Sequence, residues 1–302
     1  MTFLWVPITI AAAFLQNLRS ALQKSIKGRL SNTGAAYVRF FYAWPFALLY
    51  TWALTGPGGY ALPQANVTFL IYCALGGLAQ ILFTVVLMWM FSFRSFAVGT
   101  TFSKLEVVLI AILGALLLGD TVTPLAGVAI LLGAAGTVLL SLQETKMTFW
   151  ALLRGMTEKV TLVGLLCAAL LGASVVFFRG AALTLGHDNF VVAASYTLTI
   201  ALVLQTLMMG IWFVGFDRQE LKRVLIEWRR ALPIGLAGMA CSVCWFTAFT
   251  LQNAAYVRAL GQVELLFTIG ASIFFFKEKV TRIELAAIAL IVCAILLILL
   301  AT

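Results

Sequence analysis

Ten long apolar stretches, separated by short polar connections, occupy almost the whole chain and limit the folds open to it. Of the 302 residues, 63% are hydrophobic and only 10% are charged, whereas about a quarter of the residues in a soluble domain are charged. Because a helix of about 20 apolar residues crosses a bilayer, the pattern predicts an all-α membrane protein with ten transmembrane helices and excludes a soluble enzyme. The predicted spans lie at residues 3–22, 33–55, 67–91, 95–118, 123–142, 161–185, 190–216, 232–252, 254–276 and 282–301.

The basic residues indicate which connections face the cytoplasm. Fifteen of the 20 lysines and arginines lie in the odd-numbered connections, if Arg282 at the border of the last stretch is counted with the ninth, and none lies in the even-numbered connections or at the termini. Since basic residues concentrate on the cytoplasmic side of a membrane, the odd-numbered loops are predicted to be cytoplasmic and both termini to be outside. The net charge of +9 is explained by these membrane borders, and nucleic-acid binding is not predicted.

A shift of 158 residues aligns the two halves of the chain over most of its length. In this register Glu106 meets Glu264, and these two are the only carboxylates deep within the predicted spans, since Glu284 lies at the start of the last one. Thr123 likewise meets Thr281. The coincidence of the two membrane carboxylates indicates an internal repeat.

The number of helices in each half determines how the repeats are related. Five helices is an odd number, so the second half must enter the membrane in the opposite direction. We therefore predict two inverted five-helix repeats, at residues 1–142 and 161–302, joined by a cytoplasmic amphipathic linker at 143–160. Inverted repeats of this kind are typical of secondary transporters.

Each predicted half ends in an apolar helix, a short acidic turn and a last helix rich in small residues. The turns read LLLGDTVT at 116–123 and FFFKEKVT at 274–281, and the second helix carries Arg39 in the segment AAYVRFFYAWPFALL. These motifs resemble the EamA-type repeats of the drug/metabolite transporter superfamily, and within it the bacterial amino-acid and metabolite exporters, including the aromatic amino-acid exporter type. The resemblance implies a multi-pass protein of the cell inner membrane with periplasmic termini, exporting small molecules by alternating access as a monomer.

Ionisable side chains within a bilayer cost about 3 kcal/mol or more and mark functional sites by default. Glu106 and Glu264 lie near the middle of the fourth and ninth predicted helices, and Lys104 and Gln262 lie two residues before them. We predict that these four residues line a central substrate cavity. The alternative is a structural ion-pair network in which the carboxylates are paired with Arg19 or Arg179.

Other polar and aromatic side chains within the predicted spans are candidates for the same cavity, although each of them could instead stabilise helix packing. These further candidates are Gln80, Trp245, Ser242, Asn17, Arg179 and Tyr256.

Motifs for cofactors and metals are missing from the sequence. The single histidine, His187, lies in a predicted outer turn, and neither a phosphate-binding GxxxxGK[ST] loop nor a cysteine–histidine set with metal spacing occurs. We predict no cofactor and no metal, a small-molecule substrate and the lipid bilayer as partners, and leave proton coupling open.

The predicted cavity combines opposite charges with an apolar surface, which suits a zwitterion. Neutral amino acids, aromatic ones included, are therefore the expected substrates. Nucleosides, other metabolites and cationic drugs are the alternatives, and a membrane-embedded enzyme or lipid-handling protein is a more distant one.

Overall fold

The computed structural model describes residues 3–26, 28–90, 92–93, 95–145, 147–277 and 281–302, and within these ranges it contains fifteen α-helices and no β-strand. The helices are α1 Trp5–Lys24, α2 Asn32–Phe41, α3 Trp44–Thr55, α4 Val67–Met90, α5 Phe96–Ser103, α6 Glu106–Leu118, α7 Pro124–Glu144, α8 Phe149–Gly155, α9 Lys159–Thr184, α10 Phe190–Phe216, α11 Arg218–Ile226, α12 Trp228–Leu251, α13 Ala254–Gly261, α14 Val263–Phe276 and α15 Arg282–Ala301.

Several of these helices have the length and composition of transmembrane spans. Among the described residues, α4, α7, α9, α10, α12 and α15 are long and apolar enough to cross a membrane, and α5 with α6 makes a seventh span if the bent pair is counted as one. Each of the ten predicted stretches contains helix. A span count of ten stays a prediction, since six or seven helices meet the length and composition test.

Three stretches that the sequence predicts as continuous helices are broken in the structure. Residues 33–55 form α2 and α3, because the ring of Pro45 collides with the carbonyl of residue 41, where α2 ends. Residues 95–118 form α5 and α6, which are bent by 42°. Residues 254–276 form α13 and α14. The last two breaks contain no proline, and Lys104 and Gln262 occupy them.

The chain folds into two compact units that cut across the predicted repeats. The first unit contains Met1–Ile81 and Phe177–Gln252, and the second contains Leu82–Val176 and Asn253–Thr302. Each unit therefore takes helices from both halves of the sequence.

In the first unit, α1 packs along α12, and α10 packs against α2, α3 and α12. Phe40 and Phe213 are among the fully enclosed side chains of its core. Gly235 allows α12 to come very near to the end of α2, because a Cβ at this position would lie 2.4 Å from the Cβ of Tyr42.

In the second unit, α7 packs along α15, and α13 packs against α6, α7 and α15. Gly136 permits the contact between α7 and α15, since a Cβ there would lie 2.9 Å from a side-chain carbon of Ile291. Gly164 of α9 lies directly against the backbone of Gly99 in α5, and an added Cβ would come within 2.2 Å of the Gly99 carbonyl oxygen. Glycines thus set the helix separations in this unit.

Helix ends and breaks recur at the 158-residue shift found in the sequence. Ser31 caps α2 and Asn189 caps α10, each by accepting a hydrogen bond from a backbone N–H of the first turn. Thr123 and Thr281 cap α7 and α15 in the same way. The breaks after α5 and α13 are also 158 residues apart. Residues 278–280 of the second acidic turn lie outside the described residues.

Candidate functional site

A cavity of about 320 Å³ lies in the second unit, where α5 meets α6 and α13 meets α14. Its polar wall consists of Thr100, Ser103, Lys104, Glu106, Thr137, Arg258, Gln262 and Glu264. Its apolar wall includes Phe83, Leu87, Val107, Leu171 and Leu265. Its volume is at the lower end of the range for small-molecule sites, which is about 300–1,000 Å³.

The two helix breaks explain why charged groups are tolerated here. Glu106 is the first residue of α6 and Glu264 the second residue of α14. Unpaired N–H groups and the helix dipole make a helix N-terminus favourable for a carboxylate. Lys104 follows the last residue of α5, and Arg258 lies in the last turn of α13, where a cation is favoured. Each charge therefore lies at the helix end that stabilises its sign.

Glu106 forms an ion pair with Arg258. The Arg258 Nε–H donates to Glu106 Oε1 at 3.0 Å, and Nη2 donates to the same oxygen. The side chains are only 13% and 14% exposed. The sequence alternative that named Arg19 or Arg179 as the partner of this carboxylate is wrong for Glu106, and the pair instead joins α6 to α13.

Gln262 contributes an unsatisfied acceptor to the cavity wall. The side chain is 7% exposed, and its Oε1 has no hydrogen-bond donor among the described residues. The same oxygen lies against α7, because a Cβ added to Gly133 would be 2.4 Å from it. Buried polar atoms in proteins are nearly always hydrogen-bonded, so a bound molecule or water with a donor group would complete this site.

Lys104 and Glu264 complete the charge balance of the cavity. Both side chains are half-buried, and no described carboxylate lies within ion-pair distance of Lys104. The cavity therefore contains two cations and two carboxylates, of which Glu106 and Arg258 neutralise each other.

Four of the ten residues predicted from the sequence, namely Lys104, Glu106, Gln262 and Glu264, line this cavity together. Gln80 and Ser242 line a different, smaller cavity in the first unit. Asn17 is half-buried on α1 and is not among the lining residues of either cavity.

The three remaining predicted residues have structural contacts. Trp245 belongs to the first unit, where its Nε1–H donates to Gln16 at 3.0 Å and its ring stacks on Phe249. The Arg179 guanidinium donates to the carbonyl of Gln252 at 2.5 Å and to that of Phe249, and so caps the C-terminus of α12. Position along a predicted span does not reveal such contacts, so the sequence could not show where these two side chains lie.

Tyr256 lies on α13 in the second unit and is 6% exposed. Its phenolic oxygen accepts a hydrogen bond from the Thr123 N–H at 3.0 Å, at the start of α7. This contact ties α13 to α7, and Tyr256 is not a lining residue of the cavity.

The sequence prediction missed Arg258. Arg258 lies near the end of its predicted span, where an arginine side chain can reach the membrane surface, and it was not among the predicted cavity residues. However, Arg258 precedes Gln262 by four residues, and residues four apart share a helix face. The four-residue spacing therefore indicates from the sequence alone that Arg258 and Gln262 lie on the same side.

Within the described residues, no group of three or more His, Cys, Asp or Glu side chains is arranged to hold a metal ion.

Comparison with known proteins finds a family match in the second half of the chain and a shared fold. Residues 158–300 match the EamA-like transporter family. No curated protein matches the chain. One solved structure, titled only as the crystal structure of a protein, superposes with a TM-score of 0.74 at 17% identity and covers 98% of this chain and 96% of its own. At this identity the likeness shows a shared fold. The long apolar helices indicate a multi-pass membrane protein, and the family that the second half resembles is one of transporters.

Proposed function

We propose that the chain is a secondary transporter of the drug/metabolite transporter superfamily that binds a small zwitterionic metabolite in the cavity of its second unit. Neutral amino acids with apolar or aromatic side chains are the substrates that this cavity fits best. The observation that carries the proposal is the meeting of two helix breaks at one cavity with balanced charges.

Broken helices support a transport role on physical grounds. Transporters place substrates at interrupted helices, where helix ends and irregular backbone can bind charged groups without a continuous polar surface. The recurrence of caps and breaks at a shift of 158 residues supports the proposal that residues 1–142 and 161–302 are inverted repeats, with 143–160 as their linker.

The charges of the cavity support a zwitterion over other substrates. A substrate ammonium would contact Glu264, and a substrate carboxylate would contact Lys104. Gln262 Oε1 would accept a further hydrogen bond from the ammonium, and Phe83 and Leu87 would contact an apolar side chain. A purely cationic drug would be repelled by Lys104, and an anion by Glu264.

We propose export as the direction of transport, with the odd-numbered loops in the cytoplasm and both termini in the periplasm of a bacterial inner membrane. The orientation is supported by the distribution of basic residues, and the direction by the resemblance to exporters. Alternating access by a monomer, with or without proton coupling, is part of this proposal.

The proposal is tested by counterflow in proteoliposomes with labelled threonine, methionine, phenylalanine and tryptophan, beside uridine and an organic cation. Loss of a hydrogen bond to a charged group costs about 1.5–3 kcal/mol. Glu264→Gln should therefore reduce the apparent affinity for the transported amino acid about 10- to 100-fold.

Glu284→Gln is the matched control, because Glu284 also lies in the first turn of a helix, lines no part of the cavity and belongs to a capping box that accepts glutamine. Exchange of uridine or the cation alone, or equal losses in both variants, would contradict the proposal.

A further inference from the structure

A second cavity, of about 30 Å³, lies in the first unit among α1, α2, α4, α10 and α12. Its polar wall is formed by Arg19, Arg39, Gln80, Gln205 and Ser242. A cavity of this size holds one or two water molecules or a single small ion, and an amino acid does not fit. This cavity is therefore distinct from the proposed substrate site and too small to be a second one.

The two half-buried arginines bring positive charge into the interior of the first unit. The buried Nε of Arg19 has no hydrogen-bond partner among the described residues. The Arg39 guanidinium lies 4.9 Å from the centre of the Phe40 ring, and neither arginine has a described carboxylate within ion-pair distance. Buried charges are stable only when they are paired and hydrogen-bonded.

The unit contains no carboxylate that could serve as counter-ion in this cavity. Its acidic residues are Asp188, Asp217, Glu220 and Glu227, and none of them lines the cavity.

Three of these acidic residues have structural contacts elsewhere, and the fourth is exposed. Glu220 accepts the Ser31 N–H at 2.5 Å, Asp217 caps α11, and Glu227 pairs with Arg29 and Arg230. Asp188 is exposed to solvent in the turn before α10. The two cations of the cavity therefore have no internal counter-charge among the described side chains of this unit.

The other polar groups of the wall suit an anion. Gln205 donates to the side-chain oxygen of Gln80 at 2.7 Å, which holds the two amides together at the wall. Ser242 adds a hydroxyl group that can donate. Guanidinium, amide and hydroxyl donors around a small enclosed space are the groups that replace the hydration shell of an anion.

We propose that this cavity binds one monatomic anion, chloride in the cell, which offsets one of the two positive charges of Arg19 and Arg39 and holds α1, α2 and α12 together. The site is independent of the transported substrate, so a failure of the transport proposal would leave it intact. The anion stabilises the folded chain because the site exists only when these helices are packed.

Thermal unfolding of the purified full-length protein in detergent tests the site. Sodium chloride or bromide is titrated against sodium gluconate at constant ionic strength, since gluconate is too large for the cavity. A halide present at about 100 times its Kd should raise the apparent Tm by about 4 °C, and the shift should keep growing with the logarithm of the halide concentration. A Tm that is equal in chloride and gluconate would overturn the proposal.

Substitution of the two arginines tests whether the halide binds in this cavity. Arg19→Gln and Arg39→Gln should each abolish the difference between chloride and gluconate. Arg29→Gln is the matched control, because Arg29 is already paired with Glu227, and it should retain the difference. Retention of the full difference in both Arg19→Gln and Arg39→Gln would place the halide elsewhere and overturn the proposal.

A direct measurement covers the case in which neither cavity variant folds. Equilibrium dialysis of the wild-type protein against radioactive chloride should give one saturable site for each chain. The absence of saturable binding would overturn the proposal whatever the variants do.

Discussion

The two units of the molecule bury charge in different ways. The second unit contains a cavity of about 320 Å³ in which two cations and two carboxylates lie at the ends of broken helices. The first unit contains a cavity of about 30 Å³ with two arginines and no carboxylate. The larger cavity, in which positive and negative charges balance, suits a substrate that binds and dissociates during transport. The smaller cavity, which carries only positive charge, suits a tightly bound counter-ion.

The largest effect is expected at the ion pair of the second unit. Arg258→Met leaves Glu106 without its partner in a site where both side chains are about seven-eighths buried. Removing one member of a buried pair costs about 3–5 kcal/mol, so the apparent Tm should fall sharply and folding yield should drop. Thermal unfolding in detergent checks this.

Arg230→Met provides the matched comparison, because Arg230 pairs with Glu227 while half-exposed, and exposed pairs contribute about 0–1 kcal/mol. Equal losses of Tm in the two variants would show that the ion pair in the cavity contributes no more to stability than a surface ion pair.

The next largest effect concerns the carboxylate of the substrate. Lys104→Met should weaken counterflow of phenylalanine about 10- to 100-fold, because a charged hydrogen bond contributes about 1.5–3 kcal/mol. Phenethylamine, which lacks a carboxylate, should lose no affinity in the same variant. A parallel loss for both compounds would show that Lys104 supports the cavity without contacting the substrate carboxylate.

A smaller effect is expected from crowding Gln262. In Gly133→Ala the new Cβ would come within 2.4 Å of the Gln262 side-chain oxygen, and this flexible amide must move. We expect KM for the substrate to rise by about three- to tenfold, which corresponds to about 0.7–1.4 kcal/mol, with little change in Tm.

Gly127→Ala on the same helix is the control, since nothing lies within 4 Å of its Cβ position. Transport by this variant should equal that of the wild type. If Gly133→Ala also transports normally, the position of the Gln262 amide does not matter for binding.

The smallest effect is expected from a surface pair of the first unit. The hydrogen bond from Arg230, reinforced by Arg29, lowers the pKa of Glu227 below its usual range. A lowered pKa in the folded state contributes stability that is present above the usual glutamate pKa of about 4.3 and is lost as the pH falls through the lowered value.

Tm measured between pH 6 and pH 3.5 should therefore fall slightly more for the wild type than for Glu227→Gln. Identical pH profiles would show that the pair contributes nothing to stability.

The sequence predicted the charged residues of the cavity better than it predicted their surroundings. Glu106, Glu264, Lys104 and Gln262 could be chosen because polar groups within apolar stretches are rare, and the cavity contains all four. The breaks in the helices that carry them could not be predicted, because neither break contains a proline and long apolar segments continue on both sides of each break.

The residues that were chosen only for their position within a predicted span do not line this cavity. Trp245 and Arg179 were chosen because they are polar or aromatic residues within predicted spans, but position along a helix does not specify which side of it faces a cavity. The structure pairs Trp245 with Gln16 and places Arg179 against the end of α12. The contacts that decide such cases come from helix packing, which a single sequence does not contain.

The most direct test of the account compares three compounds that share one aromatic ring. Phenylalanine has an ammonium and a carboxylate, phenethylamine only the ammonium, and 3-phenylpropionate only the carboxylate. If Lys104 and Glu264 both contact the substrate, phenylalanine should compete in wild-type counterflow at least about tenfold better than either analogue, since each lost charged contact costs about 1.5 kcal/mol or more. Equal competition by phenylalanine and one of the analogues would contradict the claim that the balanced charges of this cavity recognise a zwitterion.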